Sequence, residues 1–386
     1  MKKVFVAMSG GVDSSVAAAL LKTEGYEVVG VFIRGWEPPQ FITATLNQNQ
    51  IACNWREERR SALSAAARLG IPLLTCDASE DYRSQIIEPM IADYRAGRTP
   101  NPDVLCNRII KFDFLWRFAK DHGADMLATG HYATIRCGST VSTPGRRWEV
   151  VVTAPPQLLM SLDKNKDQTY FLWTLTKTDL THSLFPIGNY HKSQVRTLAK
   201  RFHLTNAEKP DSQGLCFVGQ LDFKAFLRTY LPIKLGSVCN ETGEKIGEHD
   251  GVHFYTIGER HGFRVTTQTP EPLPLYVIAK NVEKNVLTVS PQPLQSAETK
   301  KEIMLDQANW ISAVPPQPHE KLKARIRYRA PLVDCQISNL ANNRVTVTFT
   351  RPLFGATPGQ SCVFYNFHDI TSLTVEPVCL GGGVIC

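Results

Sequence analysis

Short apolar runs alternate with helix-like stretches over roughly the first third of the chain. In order, these segments are the run Val4 to Met8, a helix around Val16 to Lys22, the run Val28 to Ile33, a helix from Glu57 to Leu69, the run Ile71 to Cys76, a helix ending near His122-Gly123, and the run Asp125 to Thr129. Gly25 and Gly70 end two of the helices. Apolar strands that alternate with helices predict an α/β fold with a doubly wound parallel sheet.

Polar residues or glycines follow three of the predicted strands. Ser9 follows the first strand, Arg34 follows the second, and Gly130-His131 follows the last strand of this region. Open parallel sheets bind their ligands in the crevice outside the carboxyl ends of the strands. We therefore expect a binding site where these residues meet.

The rest of the chain changes from helices to short strands. Residues 163 to 230 are predicted to be mainly helical, most clearly at Gln194 to Phe202 and Phe223 to Tyr230. After Pro232, β-type runs lie between turns at Val252 to Ile257, Leu275 to Ile278, Val286 to Val289, Val345 to Thr350 and Ser361 to Tyr365. We predict an α/β domain at residues 1–210, a central small β domain at 211–295, and a C-terminal β-barrel-like domain at 296–386.

Composition narrows the class of protein. A chain of 386 residues with 43% hydrophobic positions can bury a large core and is too long for one ordinary domain. Its net charge of +7 suits a polyanionic partner and equally suits plain solubility. The run Val4 to Met8 is too short for a signal peptide, and no stretch approaches the roughly 18 apolar residues of a membrane span. We therefore expect a cytoplasmic protein with no membrane partner.

A glycine-rich loop, Ser9 to Ser15, separates the first strand from the first helix. Its N–H groups and hydroxyls lie at a helix N-terminus, where a phosphate group is stabilised. It is not a Walker loop, because no Lys precedes its final Ser. It resembles the Ser-Gly-Gly-x-Asp-Ser loop of pyrophosphate-loop ATPases, in which Asp13 would help to hold Mg²⁺ on the phosphates of ATP. The same short pattern is also typical of a glycine turn with a serine cap.

Two cysteines lie in segments whose composition is typical of functional loops. Cys106 belongs to Thr99 to Asn107, which two prolines stiffen, and Cys216 belongs to Asp211 to Phe217. With these segments the chain resembles the bacterial tRNA-specific 2-thiouridylase family, MnmA, essentially from end to end. The motifs that carry the resemblance are Ser9 to Ser15, Arg98 to Asn107, Ile110-Lys111-Phe112, Gly130 to Ala133, Lys166-Asp167-Gln168, Asp211 to Phe217, His253 to Gly258, Arg327-Tyr328-Arg329 and Thr357 to Gln360.

This resemblance implies ATP-dependent 2-thiolation of the wobble uridine of tRNA. ATP adenylylates the ring carbonyl oxygen and releases pyrophosphate, so that AMP becomes the leaving group. A persulfide sulfur on Cys216, supplied by a sulfur-relay protein or a cysteine desulfurase, then replaces the oxygen. Cys106 is the second thiol, which either attacks the persulfide to free sulfide or closes a disulfide with Cys216.

The resemblance also assigns the binding residues. It implies that Cys106 and Cys216 are the catalytic residues. The ATP contacts are Ala7, Met8, Ser9, Gly10, Gly11, Val12, Asp13, Ser14, Ile33 and Gly130. The tRNA contacts are Asn101, Pro102, Asp103, His131, Lys166, Asp167, Gln168, Arg327, Tyr328 and Gln360. The domain at 1–210 would then join the ATP site to a helical, tRNA-contacting part, with Mg²⁺ as the counter-ion of ATP, no metal site of the protein's own, and a monomer as the active species.

Asp103 has two interpretations. It stands where some members of the family have a third cysteine, and its carboxylate could accept a proton or bond the uracil ring. An Asx-type turn after Pro102 explains the same residue equally simply.

Thiol chemistry explains the use of two cysteines. An ordinary thiol has a pKa of about 8.5, so a reactive one needs nearby positive charge or helix-terminal N–H groups. A persulfide is a better nucleophile, and a disulfide formed by two thiols can be reduced again. The remaining cysteines are expected to be inert and buried: Cys53, Cys76, Cys137, Cys239, Cys335, Cys362, Cys379 and Cys386. The sequence contains no Cys-x-x-Cys pair, which disfavours structural zinc and thiolation through an iron–sulfur cluster.

Cations alternate with other residues from Lys321 to Arg329. On a strand the alternate cations would share one face, about 6.6 Å apart, and could follow an RNA phosphate backbone. They are Lys323, Arg325, Arg327 and Arg329. Tyr328 would be placed to stack on a base. The same alternation is the usual pattern of a solvated strand face.

Some segments depart from the family pattern: Glu37 to Gln50, the basic residues of Arg56 to Arg60, Glu259 with His261, and an apparent insertion at His368 to Pro377. They bear on tRNA selection and docking of the sulfur donor more than on the chemistry. Two other functions fit parts of the sequence. A pyrophosphate-loop synthetase acting on a small carboxylate or carbonyl would need no paired thiols. A non-catalytic tRNA-binding protein would be expected to have a degraded nucleotide loop, yet Ser9 to Ser15 is intact.

Overall fold

The computed structural model describes residues 1–38, 51–52, 55–137, 155–211, 220–221, 223–266, 274–292, 300–318, 320–341, 343–367 and 377–386. The strands up to residue 221 are β1 (Lys3–Ala7), β2 (Glu27–Arg34), β3 (Ile51–Ala52), β4 (Leu73–Asp77), β5 (Met126–Ala128), β6 (Ala133–Arg136), β7 (Gln157–Met160), β8 (Ser183–Leu184) and β9 (Gln220–Leu221). The α-helices are α1 (Val12–Thr23), α2 (Trp55–Leu69), α3 (Ser79–Tyr82), α4 (Glu88–Arg95), α5 (Pro102–Leu105), α6 (Leu115–Asp121), α7 (Lys177–Thr181), α8 (Lys192–Arg201) and α9 (Phe223–Tyr230). Two π-helical stretches, Arg83–Ile87 and Cys106–Phe114, connect α3 to α4 and α5 to α6.

Five of these strands form a sheet in the order β4-β2-β1-β5-β8. All four neighbouring pairs are parallel. The chain starts in the middle, builds outwards through β2 and β4, and then returns to the other side of β1 with β5. This order is that of a doubly wound sheet, so the predicted fold class is confirmed. The direction of winding reverses between β1 and β5, which is where such sheets open a ligand crevice.

Both faces of the sheet are buried, as the apolar runs required. Val4 and Val6 of β1 pack on one face with the apolar sides of α1, α2 and α8. Phe5 points to the opposite face and joins a core that includes the helices from residue 79 to 121. Successive side chains of a strand alternate between faces, so an unbroken apolar run supplies both cores at once.

The second half of the chain is rich in β-strands. Its strands are β10 (Gly236–Cys239), β11 (Lys245–His249), β12 (Arg264–Val265), β13 (Tyr276–Asn281), β14 (Val286–Ser290), β15 (Lys300–Trp310), β16 (Leu322–Arg325), β17 (Val333–Ala341), β18 (Arg344–Leu353), β19 (Ser361–Asn366) and β20 (Val378–Ile385). The first five form one sheet in the order β12-β11-β10-β14-β13. The last six form a barrel, because β15 pairs with both β18 and β20 and so closes the sheet.

The barrel and the first domain share one sheet. β20 pairs with β7, and β7 pairs with β6, which directly follows the Gly130-His131 position. The core on the Phe5 face of the parallel sheet also continues into the central domain at Val277 and into the barrel at Tyr365. The parallel sheet, the five-stranded sheet and the barrel are therefore packed against one another through a continuous apolar core.

Two predicted strands are wrong. Val252 to Ile257 forms a 3₁₀ turn at Val252–Phe254 rather than a strand. The cationic strand predicted for Lys321 to Arg329 ends at Arg325, and Arg329 has a left-handed φ of 61°. Because the chain turns there, its alternate cations do not share one exposed face. Most of Glu37 to Gln50 and of His368 to Pro377 lies outside the described residues.

Candidate active site

The nucleotide loop is shaped by two close approaches of backbone. Gly10 has φ of +80°, and a Cβ there would lie 2.3 Å from the carbonyl oxygen of Glu58. A Cβ on Gly130 would lie 2.7 Å from the backbone nitrogen of Ser14. Glycine is therefore needed at both positions, one for conformation and one for the fit of the β5 end against the start of α1. The two predicted ATP segments thus meet at the winding reversal of the sheet.

Serine hydroxyls order the loop from within. The Gly11 nitrogen donates to Ser9 Oγ at 3.3 Å, and Ser14 Oγ lies 3.4 Å from Ser9 Oγ. Ser15 Oγ donates to the Gly11 carbonyl oxygen at 2.9 Å. Gly11 is the N-cap of α1 and supplies no side-chain cap, so the first N–H groups of this helix remain available to an anion.

Residues far along the chain hold the loop from outside. The carbonyl oxygen of Gly10 accepts hydrogen bonds from Ser61 Oγ at 2.8 Å, Asn206 Nδ2 at 3.0 Å and Lys209 Nζ at 3.3 Å. Asn206 also donates to the Gly11 carbonyl oxygen at 3.2 Å and to Ser15 Oγ at 3.0 Å. The sequence analysis missed these residues, because no local pattern links them to the loop.

Asp13 is the centre of a network of charges. Its carboxylate accepts from Lys192 Nζ at 2.8 and 2.9 Å and from the Tyr132 hydroxyl at 3.0 Å. Lys192 also bridges to Asp211 at 2.9 Å. Burial alone would raise the pKa of Asp211, but hydrogen bonds from Lys166 and Lys192 hold this pKa well below its usual range. Lys192 was not predicted from the sequence.

The remaining predicted ATP contacts lie at the same edge of the sheet. Ala7 ends β1 and Met8 follows it, and Ile33 is the penultimate residue of β2. Met8 and Ile33 are buried there, as is Val12 at the start of α1. Met8 and Val12 belong to the core on one face of the sheet, and Ile33 belongs to the core on the other face.

Cys106 opens the second reactive region. It begins the π-helical stretch Cys106–Phe114 and is fully buried. Stretches of π-helix are frequent at functional sites. Lys111, one helical turn further on, donates to Asn107 Oδ1 at 2.8 Å and lies 3.4 Å from His131 Nε2. Because His131 adjoins Gly130, this contact links the thiol-bearing helix to the nucleotide crevice.

His131 is a buried histidine rather than an exposed one. It hydrogen-bonds Thr129 Oγ1 through Nδ1 at 2.7 Å and stacks on Phe112 with ring centroids 6.0 Å apart. Burial and then the charge of Lys111 hold its pKa well below the usual value, so the ring is neutral at pH 7. A direct contact with RNA requires this ring to be uncovered.

The loop before Cys106 is held by the C-terminal barrel. The Thr99 nitrogen donates to the Pro358 carbonyl oxygen at 2.9 Å. Gln360 Nε2 donates to the carbonyl oxygens of Thr99 at 2.9 Å and Pro100 at 3.2 Å. Asn101 is the N-cap of α5, and Asp103 lies in its first turn. Gln360, predicted as an RNA contact, thus positions the thiol loop (residues 99–105).

Two further predicted RNA contacts have partners within the protein. Arg327 is half-buried and donates to the Ile257 carbonyl oxygen at 2.7 Å, which ties the barrel to the central domain. Burial lowers its pKa. Tyr328 lies against Phe171 with ring centroids 4.6 Å apart, and the Arg329 guanidinium lies 5.0 Å from the Tyr328 ring.

The three predicted contacts at residues 166–168 differ in exposure. Asp167 is buried, accepts from the Ser161 nitrogen at 3.0 Å and pairs with buried Arg325 at 3.6 Å. Its carboxylate therefore cannot contact RNA in this structure, because protein surrounds it. Lys166 is half-buried and pairs with Asp211 at 2.6 Å. Gln168 Oε1 accepts from the Tyr132 nitrogen at 2.9 Å.

The other cysteines divide into two groups. Those predicted to be buried are buried at four positions, and burial raises their pKa: Cys76, Cys335, Cys362 and Cys379. The prediction of burial is wrong for Cys137 and Cys386, which are exposed, and Cys239 is half-buried. Cys53 and Cys216 lie outside the described residues, so the structure gives no distance from Cys106 to Cys216.

Neither a metal centre nor a membrane helix is found in the part of the chain that the structure describes. No group of three or more His, Cys, Asp and Glu residues there is arranged to hold a metal ion. No described helix is long and apolar enough to cross a membrane.

Comparison with known proteins gives matches over the whole chain. Models of one protein family match residues 2–220 (tRNA methyl transferase HUP domain), 224–291 (tRNA methyl transferase PRC-barrel domain) and 300–385 (aminomethyltransferase beta-barrel domain). The tRNA-specific 2-thiouridylase MnmA of Francisella tularensis subsp. holarctica (strain FTNF002-00 / FTA) is 38% identical over 385 residues, covering 100% of this chain and 99% of that protein. The protein of the same name from subsp. novicida (strain U112) has the same identity and coverage.

Among solved structures, a 4-thiouridine synthetase–RNA complex with bound ATP covers 57% of this chain and 46% of its own. It is 15% identical, with a TM-score of 0.32. A structural likeness this slight carries no information about substrate.

Proposed function

The chain belongs to the tRNA-specific 2-thiouridylase MnmA family of tRNA sulfurtransferases, and we propose that it replaces the 2-oxygen of a tRNA wobble uridine by sulfur. One observation carries the proposal. The glycine loop at the winding reversal and the helix of Cys106 lie side by side, joined by the contact of Lys111 with His131. A site for activating an oxygen and a site for a thiol are thus neighbours. The description of the family model mentions methyl transfer, but the two cysteine motifs favour thiolation.

The first step is activation of the uridine by ATP. The 2-oxygen of the ring attacks the α-phosphorus, and pyrophosphate leaves with the electrons of the broken bond. The N–H groups at the start of α1 and the hydroxyls of Ser9 and Ser14 stabilise the phosphates, because N–H groups at a helix N-terminus favour a bound anion. Mg²⁺, held on the phosphates with help from Asp13, would offset their charge.

The second step exchanges AMP for sulfur. The terminal sulfur of a persulfide on Cys216 attacks C2 of the uridine, and AMP leaves. Cys106 then attacks the Cys216 sulfur, the S–S bond breaks, and its electrons stay with the sulfur on the nucleoside. Alternatively, Cys106 attacks first and frees sulfide, which displaces AMP. Either route ends with a disulfide between Cys106 and Cys216, and two electrons from a cellular thiol reset the enzyme.

Cys106 is fully buried, and a thiol with no exposure to solvent is shielded from bulk oxidants. Cytoplasmic location, a monomeric state, and delivery of sulfur by a relay protein or desulfurase are further parts of this proposal. The half-buried Tyr328 and the exposed Arg329 beside it are its candidates for stacking and phosphate contact with tRNA.

Mass spectrometry of tRNA nucleosides tests the proposal. Unmodified tRNA is incubated with the protein, ATP, Mg²⁺, cysteine and a cysteine desulfurase, and wild type is compared with Cys106→Ser and Cys216→Ser. We expect 2-thiouridine from the wild type alone, and only when ATP is present. Cys76→Ser, a change at another buried cysteine, serves as the control and should leave the product in place.

The same reaction separates the competing functions. Cleavage of ATP to AMP without thiouridine, in a mixture where a known thiouridylase succeeds, would favour a synthetase for a small carboxylate or carbonyl. Tight tRNA binding without ATP cleavage would favour a non-catalytic RNA-binding protein.

A further inference from the structure

Lys192 occupies an unusual position between two carboxylates of the candidate site. Its ammonium bonds both oxygens of Asp13 at 2.8 and 2.9 Å and one oxygen of Asp211 at 2.9 Å. The Lys192 side chain is only 14% exposed, so its charge is directed into the site and not into solvent. An ammonium group has three donors, and here all three have acceptors on the two carboxylates.

The location of Asp13 makes this arrangement relevant to the nucleotide. Asp13 lies in the first turn of α1, beside the N–H groups that are available to an anion. A phosphate held at that helix start lies next to the Asp13 carboxylate, and hence next to the Lys192 ammonium. Two negative groups placed side by side need a cation between them.

The balance of charge points the same way. Asp211 is bonded by three cations, namely Lys166 at 2.6 Å, Lys192 at 2.9 Å and Arg196 at 2.9 Å. Asp211 therefore stays neutralised by Lys166 and Arg196 if Lys192 turns part of its donors elsewhere.

The helix of Lys192 is fixed so that only the end of the side chain need move. Lys192 is the first residue of α8, and its backbone nitrogen donates to Asp163 Oδ2 at 3.0 Å. The His191 nitrogen donates to Gln194 Oε1 at 2.8 Å. A lysine ammonium on a flexible four-carbon stem can exchange acceptors without backbone movement.

We propose that Lys192 is a phosphate ligand of the nucleotide, which exchanges its bonds to Asp13 for a phosphate oxygen of ATP while keeping its bond to Asp211. The exchange frees Asp13 Oδ2 for the cation that accompanies ATP and leaves Oδ1 with its hydrogen bond from the Tyr132 hydroxyl. The inference rests on the proposed ATP site and adds a binding residue that no local motif contains. Since Asp211 lies five residues before Cys216 in the sequence, the same lysine connects the phosphate site to the start of that segment.

The test compares ligands with and without phosphates. Calorimetry on the full chain measures the Kd of ATP with Mg²⁺ and the Kd of adenosine, for wild type, Lys192→Met and the control Lys200→Met. Lys200 lies on the same helix, but its side chain is 63% exposed and pairs with Glu208. We expect Lys192→Met to weaken ATP binding by about 10- to 100-fold, the usual effect of losing a charged hydrogen bond. Adenosine binding should stay within about twofold, and Lys200→Met should match the wild type.

A second pair of variants excludes a purely structural role. If Lys192 only balances the charge of Asp13, then Lys192→Met has no effect on ATP binding once Asp13 is replaced by Asn. A phosphate ligand predicts that the loss persists in the Asp13→Asn background. Should Lys192→Met fail to fold, Lys192→Gln replaces it, with the same comparison of ATP and adenosine.

The results distinguish this inference from the proposed function. Equal losses for ATP and adenosine, or no loss for ATP, would overturn the role of Lys192 while leaving the ATP site intact. A wild-type chain that binds neither ATP nor adenosine would overturn the proposed function and this inference together.

Discussion

The nucleotide loop and the thiol loop are built in different ways. Every described hydrogen bond to Gly10 comes from residues within the first 211, namely Ser61, Asn206 and Lys209. The thiol loop instead takes its support from Gln360, 261 residues away from Thr99 in the sequence. The first region can therefore be formed by the α/β domain alone, whereas the second requires the barrel. The barrel is thus part of the machinery that positions Cys106 and not merely an RNA-binding attachment.

The largest effect is expected where the barrel joins the first domain. Asp167→Asn removes the charge that faces buried Arg325, whose side chain is 6% exposed. Removing one partner of a buried ion pair costs about 3–5 kcal/mol of unfolding free energy, because the other charge stays buried without compensation. Urea unfolding followed by circular dichroism measures the change.

The control for Asp167→Asn is a surface ion pair formed by Lys323, which lies on β16 with Arg325. Lys323 pairs with Asp334, whose side chain is 62% exposed. Asp334→Asn should cost no more than about 1 kcal/mol, since such pairs are screened by water. Similar losses for both variants would mean that the junction contributes no more than an ordinary surface contact.

Gly10→Ala breaks the nucleotide loop and leaves the thiol loop in place. The new methyl group would meet the Glu58 carbonyl oxygen at 2.3 Å, in a residue with φ of +80°. Local strain of about 1–3 kcal/mol in this loop should weaken ATP binding about 10- to 100-fold. Calorimetry with ATP and Mg²⁺ measures the loss.

Gly25→Ala separates the effect of conformation from that of crowding. Gly25 also has a left-handed φ, of +86°, but no heavy atom of the described residues, apart from its own chain neighbours, lies within 4 Å of the position of its Cβ. This variant should lose a little stability and keep its affinity for ATP. A loss of ATP binding equal to that of Gly10→Ala would show that the close approach to Glu58 is unimportant.

Gln360→Leu should disturb the thiol loop and leave the nucleotide loop in place, which is the reverse of Gly10→Ala. It removes the two hydrogen bonds that hold the carbonyl oxygens of Thr99 and Pro100. At roughly 1 kcal/mol for a typical hydrogen bond, we expect formation of 2-thiouridine to slow about tenfold, with unchanged affinity for ATP. Gln336→Leu, at an exposed position of β17, is the matched control. A reduced affinity for ATP in Gln360→Leu alone would contradict the independence of the two regions.

The smallest effect concerns pH. Lys280 donates to the carbonyl oxygens of Gly97 at 2.9 Å and Tyr255 at 2.8 Å, and so joins the central domain to the chain just before the thiol loop. Burial lowers its pKa from 10.5 to about 8, with Glu259 opposing the shift. Between these two values the unfolded chain binds more protons than the folded one, so stability from this group rises with pH.

The expected rise in stability is about 1 kcal/mol between pH 8 and pH 9. Lys280→Met should lack this contribution, whereas exposed Lys284→Met should keep it. Denaturant unfolding at several pH values measures both profiles. Parallel profiles for wild type and Lys280→Met would mean that Lys280 has an ordinary pKa in the folded protein.

The local geometry of the nucleotide loop could be predicted from the sequence, whereas the contacts that hold the thiol loop could not, for a physical reason. Loop, strand and helix are adjacent in the chain around Ser9 to Ser15, so periodicity and glycine placement reveal their geometry. Gln360 and Arg327 were predicted as RNA contacts, but their observed partners are backbone oxygens of Thr99 and Ile257. A polar residue in a loop gives the same sequence signal whether it binds a ligand or a distant backbone group. Only tertiary structure distinguishes the two.

The lack of tertiary information in the sequence also explains why the exposed face predicted for the cationic strand was wrong. Alternation of Lys and Arg predicted an exposed face, but Arg325 turns inward to pair with Asp167 and packs over Tyr365 at 5.0 Å. The charge of a residue gives no indication that a buried partner 158 positions earlier compensates it. Lys192 was missed for the related reason that its partners, Asp13 and Asp211, are distant in sequence.

The central claim is that activation of the uridine and transfer of sulfur are separate steps, and transfer of label from ATP to tRNA tests it most directly. ATP radiolabelled in its α-phosphate is incubated with tRNA and Cys216→Ser, and both the label on tRNA and 2-thiouridine are measured. The account predicts that label accumulates on tRNA while no 2-thiouridine forms, because the nucleotide loop is intact and only the thiol that carries the persulfide is missing. Absence of label from the tRNA in this variant would contradict the account, since activation would then depend on Cys216.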